Sequence, residues 1–395
     1  MAEKRRDNKG RILRTGESQR KDGRYAYKYT DSTGKPQFVY AWKLVATDKT
    51  PTGKRDDISL REKEAEINRD IADGIDTVGK KMTVCQLYAK QNSQRADVKR
   101  GTKKQREYLM GLLRNDPLGG KSIDAVKPSD AKEWAIRMKE KGFSFQSISN
   151  YKRSLRAAFF IAIEDDCVRK NPFSFALNKV LEDNRGEKTV LTPEQEVSLI
   201  DFAQNDKVYR KYVDELIILL GTGLRISEFC GLTTNLDFKN RLIRVDHQLL
   251  RDPKSGYYIE TPKTKSGYRE IPMSEPVYQA LKRVVKNRGK KTTIMIDGYT
   301  NFLFLKRDGT PKVGMDYNNM IRNLLKKYNK QHKEPLPNIT PHSFRHTFCT
   351  RMANAGMNPK ALQYIMGHAN ITMTLDYYTH VDACSVRAEM ERLAA

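Results

Sequence analysis

The chain has 395 residues, of which 38% are apolar, and 73 Lys and Arg against 48 Asp and Glu leave a net charge of +25. That length predicts two or three domains, and no run of about 18 apolar residues offers a membrane span. The basic N-terminus has no apolar stretch behind it, so a secretory signal is not expected and the chain reads as soluble and cytoplasmic.

Such a basic balance is expected of a protein that meets a polyanion, although a ribosome-associated or merely soluble basic protein would share it. The basic residues are spread along the chain instead of being collected in one tail, which favours a surface that wraps a duplex. Five cysteines, Cys85, Cys167, Cys230, Cys349 and Cys384, include no Cys-x-x-Cys pair. Reduced thiols are expected, with neither a disulfide framework nor a zinc ribbon.

Residues 1–80 form the first expected domain. Tyr25, Tyr27 and Tyr29 alternate, as do Phe38, Tyr40 and Trp42, and Asp31-Ser-Thr-Gly34 between them is a turn signal. The pattern predicts a hairpin whose aromatic faces build a small core, with Arg and Lys on the other face free to read a groove. Ser59 followed by Glu62 is a capping box that opens a charged helix ending near Gly74.

Residues 82–180 read as a small basic helical domain. Thr83 is placed as the cap of a helix running to Gln94, a second helix covers 102–115, and Ser129 is placed as the cap of a third running to Lys139. In the fourth, Ile148, Tyr151, Leu155, Phe159 and Ala162 recur at helical spacing. Lys103, Lys104, Arg106, Arg114, Lys152, Arg153 and Arg156 on these helices suit phosphate contacts. The charged stretch 181–188 suits a linker.

Residues 188–395 open with Thr192-Pro-Glu-Gln195, a capping box with proline at the first helical position. Helices follow, then strand-like runs at 242–245, 257–261 and 269–272, then more helices. The fold class expected is α+β and multidomain. It comprises a small N-terminal β-sheet plus helix, a helical second domain, and a mostly helical third domain with a small antiparallel sheet.

Three stretches of the last domain carry chemistry. In Thr222-Gly-Leu-Arg225-Ile-Ser-Glu228, an apolar run stops at glycine and Arg225 falls in the first turn of a new helix. There it suits an oxyanion clamp, or else a plain ion pair with Glu228. In Thr340-Pro-His342-Ser-Phe-Arg345-His-Thr, a capped helix puts His342 and Arg345 one turn apart. In Met366-Gly-His368, followed by Tyr377-Tyr378-Thr-His380, a glycine ends one helix and two tyrosines follow in a short one. His342 and His346 stand four apart, but Ser343 occupies the place of the glutamate that a zinc protease helix needs.

The order Arg, His-x-x-Arg, Gly-His, Tyr within about 150 residues resembles the tyrosine recombinases, the integrases of phages and transposons. The middle segment looks like that family's core-binding domain. The N-terminal hairpin and helix resemble the arm-site-binding domain of conjugative-transposon integrases.

The resemblance implies that Arg225 and Arg345 clamp the non-bridging oxygens of a scissile phosphate, with His342 and His368 completing the site. It implies a lysine as general acid to the leaving 5′ oxygen, and Lys263 is chosen over Lys265 for its Pro-Lys-Thr setting. Tyr378, in Tyr-Thr-His-Val, is chosen as nucleophile over Tyr377, which lies nine residues after His368.

The chemistry is coherent. A phenol with a pKa near 10 must lose its proton as it attacks, and two arginines neutralise the charge growing on phosphorus oxygens. A phosphotyrosine keeps the bond energy, so no metal, ATP or other cofactor is expected. The resemblance further implies double-stranded DNA with attachment and arm sites as partner, and a homotetramer on that DNA in which a terminal helix at 381–393 packs on a neighbour. A small excision protein, and a nucleoid-associated place in a bacterial cytoplasm, belong to the same expectation. A type IB topoisomerase and a catalytically inactive DNA-binding regulator are the alternatives.

Overall fold

Alternating tyrosines and a reciprocal helix cap organise the N-terminal part. The computed structural model describes residues 5–31, 34–75, 79–95, 97–184, 186, 189–262, 264–288, 294–378 and 390–391. Strands β1 (Glu17–Gln19), β2 (Tyr25–Thr30) and β3 (Pro36–Ala41) form an antiparallel sheet in the order β1-β2-β3. Helix α1 (Leu60–Ala72) starts at Ser59, whose N–H donates to Glu62 Oε2 at 2.8 Å. The Glu62 N–H donates back to Ser59 Oγ at 3.4 Å, so the cap satisfies groups that the first turn leaves open.

The sheet register corrects the expectation that both aromatic faces build the core. Tyr25 pairs with Ala41, Tyr27 with Val39 and Lys28 with Phe38. Directly paired residues share a face, so Tyr25 and Tyr27 pack with Leu44, Leu60 and Ile67. Phe38 and Tyr40 point the other way and are 54% and 37% exposed. Arg20 and Arg24 lie 5.2 and 5.4 Å from the Tyr40 ring centre, and Lys54 lies 5.2 Å from that of Trp42. The outer face is therefore both aromatic and cationic.

The next helices are α2 (Val84–Ser93), α3 (Arg100–Arg114), α4 (Pro117–Gly120), α5 (Pro128–Glu140) and α6 (Phe145–Glu164). Leu87, Leu113, Trp134, Ile148, Leu155 and Phe159 bury their apolar faces in one core. Ser129 is not the cap of α5. Pro128 takes the first helical position, so Lys127 becomes the cap, and its N–H donates to Asp130 Oδ2 at 2.7 Å. Residues 1–186 make one compact unit and residues 187–395 a second.

The second unit contains α7 (Pro193–Asn205), α8 (Val213–Thr222) and α9 (Ile226–Gly231), then β4 (Leu242–Val245), β5 (Gln248–Asp252), β6 (Gly256–Glu260) and β7 (Arg269–Pro272). Helices α10 (Glu275–Arg288), α11 (Gly314–Gln331), α12 (Pro341–Asn354), α13 (Pro359–Met366) and α14 (Thr372–Leu375) follow. The strands pair as two antiparallel ladders, β4 with β7 and β5 with β6. Ile243 and Ile271, directly opposite, enter the same core as Leu216, Leu219, Phe229 and Phe344. The expected terminal helix at 381–393 lies outside the described residues except for Met390 and Glu391, which are helical.

Candidate active site

Helix α8 buries Leu216, Ile218, Leu219 and Leu220 and ends at Gly223, whose φ is +63°. A side chain there would put its Cβ 2.5 Å from Phe348 Cδ1, so the turn needs glycine both for its backbone and for its space. The turn delivers Arg225 to the N-cap of α9, one position ahead of the expected first turn. Arg225 Nη1 donates to Glu228 Oε1 at 2.7 Å and Nη2 to the Gly367 carbonyl at 3.0 Å. Glu228 Oε2 in return accepts the Arg225 backbone N–H at 2.9 Å. The ion pair considered from the sequence is thus made, and it directs the guanidinium.

Thr340 caps α12 and Pro341 opens it. His342 is exposed at this end, with its ring edge-on to that of His346 at 4.4 Å between centres. Arg345, one turn on, is 3% exposed. It donates through Nη1 to the Gly223 carbonyl at 2.6 Å and through Nη2 to the Met366 carbonyl. Burial, with Arg225 nearby, lowers its pKa to about 9, so it remains a cation at neutral pH.

Helix α13 ends at Gly367, φ +60°, and His368 follows in the turn with Nδ1 2.9 Å from Thr374 Oγ1. A Cβ at Gly367 would lie 3.0 Å from Arg269 Nη1. The two tyrosines lie just past α14, not inside it, because the helix spans only Thr372–Leu375. The Tyr377 hydroxyl meets His346 Nδ1. Burial and the neighbouring Cys349 push the Tyr377 phenol up to about 12 against the pull of Arg345. The Tyr378 hydroxyl donates to the Met357 carbonyl at 2.5 Å, and burial raises its pKa as well.

A pocket of about 470 Å³ is lined by Arg225, Glu228, His368, Gly267, Pro262 and Thr264, among others. It brings Arg225 and His368 together. Lys263, between Pro262 and Thr264, lies outside the described residues, and Lys265 is exposed. Arg345 is not among the described lining residues, but its bonds reach Gly223 and Met366, the latter adjacent to the lining residue Gly367. His342 and Tyr378 are not among the described lining residues.

Two further charged residues were not legible as site residues. Glu228 was considered only as a surface partner, yet its side chain is 6% exposed, and Arg269 on β7 is fully buried at 0%. Burial would raise the Glu228 carboxyl, but the hydrogen bonds and charge of Arg269, with the charge of Arg225, overcome this and hold it at about 2. The only sequence signal for Arg269 is a charge alternating with Ile271 on the inward side of a strand.

In the first unit, a groove of about 680 Å³ is lined by Arg95, Lys104, Arg106, Arg153, Tyr108 and Tyr151, among others. Lys152 instead packs over Phe175 at 4.7 Å, and Arg156 over Phe160 at 5.2 Å. Of the expected phosphate-binding cations, Lys104, Arg106 and Arg153 therefore line the groove, Lys152 and Arg156 pack on aromatic rings, and Lys103 and Arg114 are in neither group among the described contacts.

Residues 189–384 match the phage integrase family, and residues 1–71 match the DNA binding domain of Tn916 integrase. The transposase from transposon Tn916 of Enterococcus faecalis is 67% identical over 394 residues, covering 100% of this chain and 97% of its own length. The transposase from transposon Tn1545 of Streptococcus agalactiae matches with the same identity and coverage. A structure of the Tn1549 transposon integrase in complex with a circular intermediate DNA is 63% identical, with a TM-score of 0.76 over 79% of this chain and 99% of that one.

Proposed function

Because this chain belongs to the phage integrase family, the tyrosine recombinases, we propose that it cuts and rejoins DNA at specific sites through a 3′-phosphotyrosine link, integrating and excising a mobile element. The observation that carries the reading is one seam held by two arginines. Arg345 binds the carbonyls of Gly223 and Met366, and Arg225 binds that of Gly367. Two cations fixed before substrate arrives suit a phosphoryl group whose charge grows during attack.

In this mechanism Arg225 and Arg345 stabilise the non-bridging oxygens. The Tyr378 hydroxyl leaves the Met357 carbonyl, loses its proton and attacks phosphorus. Lys263 protonates the departing 5′ oxygen, while His342 and His368 hydrogen-bond the phosphate and handle protons. The phosphotyrosine conserves the energy of the broken bond, and a 5′ hydroxyl from the partner strand reverses the step. Neither a metal ion nor ATP is therefore required.

Residues 1–80 would bind arm sites through the exposed Phe38 and Tyr40 face, residues 82–180 the core site through the basic groove, and residues 188–395 perform catalysis. The circular intermediate DNA in the structure of the similar Tn1549 integrase supports double-stranded DNA as substrate. The working form is a homotetramer on DNA, with a small excision protein as accessory partner, in the cytoplasm and on the nucleoid of a bacterium. The test is strand exchange between two attachment-site duplexes in chelator without nucleotide. Recombinant products are expected. Relaxation of supercoiled DNA without exchange would identify a topoisomerase instead, and binding without cleavage a regulator.

A further inference from the structure

Resting on that reading, we infer that Arg269 is a positioning residue that sets the direction and effective charge of Arg225. Its side chain is wholly buried, and burying a guanidinium is costly unless its donors are satisfied. Here the donors go to three segments. Nη2 and Nη1 reach the two Glu228 oxygens at 2.8 and 3.2 Å. Nη1 also reaches the Gly267 carbonyl at 3.1 Å, and Nε reaches the Ile365 carbonyl at 2.5 Å.

Each of those segments carries part of the candidate site. Glu228 orients Arg225 by its own contacts at 2.7 and 2.9 Å. Gly267 ends the single turn Lys265–Gly267, which contains Lys265 and begins two positions after Lys263. Ile365 precedes the Gly367 turn, whose carbonyl accepts from Arg225 and which leads to His368. Arg269 therefore braces the carboxylate that holds Arg225 and the carbonyl-bearing turn on Arg225's other side.

Charge points the same way. An isolated Arg225–Glu228 pair is neutral, and the carboxylate would draw the guanidinium inward. With Arg269 the three groups sum to +1, and Glu228 is shared between two cations. Arg225, at 37% side-chain exposure against 0% for Arg269, is the one left facing the pocket. A lysine at 269 keeps the charge but not a planar fork able to span Glu228 and two carbonyls.

The test is a double-mutant cycle on single-turnover cleavage of a nicked attachment-site duplex by the full chain, with DNA affinity measured alongside. Arg269→Lys is expected to slow cleavage by roughly 10-fold or more while affinity stays within about 3-fold. In an Arg225→Lys background, Arg269→Lys is expected to cost no more than about 3-fold further, because the group it positions is already compromised. A merely structural arginine gives penalties that multiply, or cleavage by Arg269→Lys within about 3-fold of the unsubstituted chain, and either result overturns the inference. If Arg269→Lys does not fold, Arg269→Gln, which keeps side-chain donors at this position without the charge, enters the same cycle under the same criterion. An unsubstituted chain that forms no cleavage product overturns the recombinase reading as well, which separates the two failures.

Discussion

Arg225 Nη2 donates to the carbonyl oxygen of Gly367 at 3.0 Å, joining positions 142 residues apart. The same guanidinium binds Glu228 through Nη1, so its orientation is set from both sides before any phosphate arrives. Arg225→Lys keeps the charge and loses this fork. Single-turnover cleavage is expected to fall roughly 100-fold, the scale of losing one preorganised donor, with DNA affinity nearly unchanged. A filter-binding titration beside a cleavage time course checks both halves, and an unchanged rate removes Arg225 from the proposed role.

Glycine is required at both turns of the seam. Gly223→Ala must hold a side chain at φ +63° against Phe348, and Gly367→Ala must hold one at φ +60° against Arg269 and the Ser266 carbonyl. Each is expected to cost roughly 2–3 kcal/mol of stability from backbone strain and overpacking. Thermal melting of the two variants reads this directly, and melting points equal to the parent's would mean that the turns relax freely.

Glu228 makes stability depend on acid. Its folded pKa is lowered to about 2 from an ordinary 4.5. A lowered carboxyl contributes stability that is fully present above 4.5 and is lost as pH falls through the folded value, so the window runs from about 4.5 down to about 2. Within it, each pH unit removes up to about 1.4 kcal/mol. Denaturant unfolding at pH 5, 4 and 3 is expected to show a steeper loss in the parent than in Glu228→Gln. Parallel slopes would contradict the buried-pair account.

The N-terminal sheet separates stability from binding. Phe38→Ala removes a ring that is 54% exposed, so the unfolding free energy is expected to stay within about 0.5 kcal/mol of the parent's. Affinity of the full chain for arm-site DNA is expected to fall several-fold. Tyr27→Ala, in the core beside Leu44 and Leu60, is expected to cost about 3 kcal/mol instead. Equal stability losses for the two variants would put Phe38 in the core after all.

What was legible in the sequence was local. The Ser59–Glu62 and Thr192–Gln195 caps and the proline after Thr340 act within one turn, so their residues specify them without tertiary help. Alternation identified the strands, but not which aromatic face points inward, because that depends on Tyr27 pairing with Val39 and not with its neighbours. Ser129 was misplaced because two cap signals compete within three residues and proline decides the contest. For the candidate site, motif order singles out Arg225, Arg345 and His368, and the structure brings these three to one seam. Arg269 was not, since a charge on a strand reads as solvated until Glu228, 41 positions earlier, arrives to bury it.

A covalent link between Tyr378 and DNA is the step on which the proposed chemistry turns. The most direct measurement incubates the unsubstituted chain, Tyr377→Phe and Tyr378→Phe with a nicked attachment-site duplex in chelator, then separates the products on a denaturing gel. A shifted protein–DNA band is expected from the unsubstituted chain and from Tyr377→Phe, and none from Tyr378→Phe. A band that persists in Tyr378→Phe and vanishes in Tyr377→Phe would contradict the assignment, and no band with any duplex would contradict the chemistry.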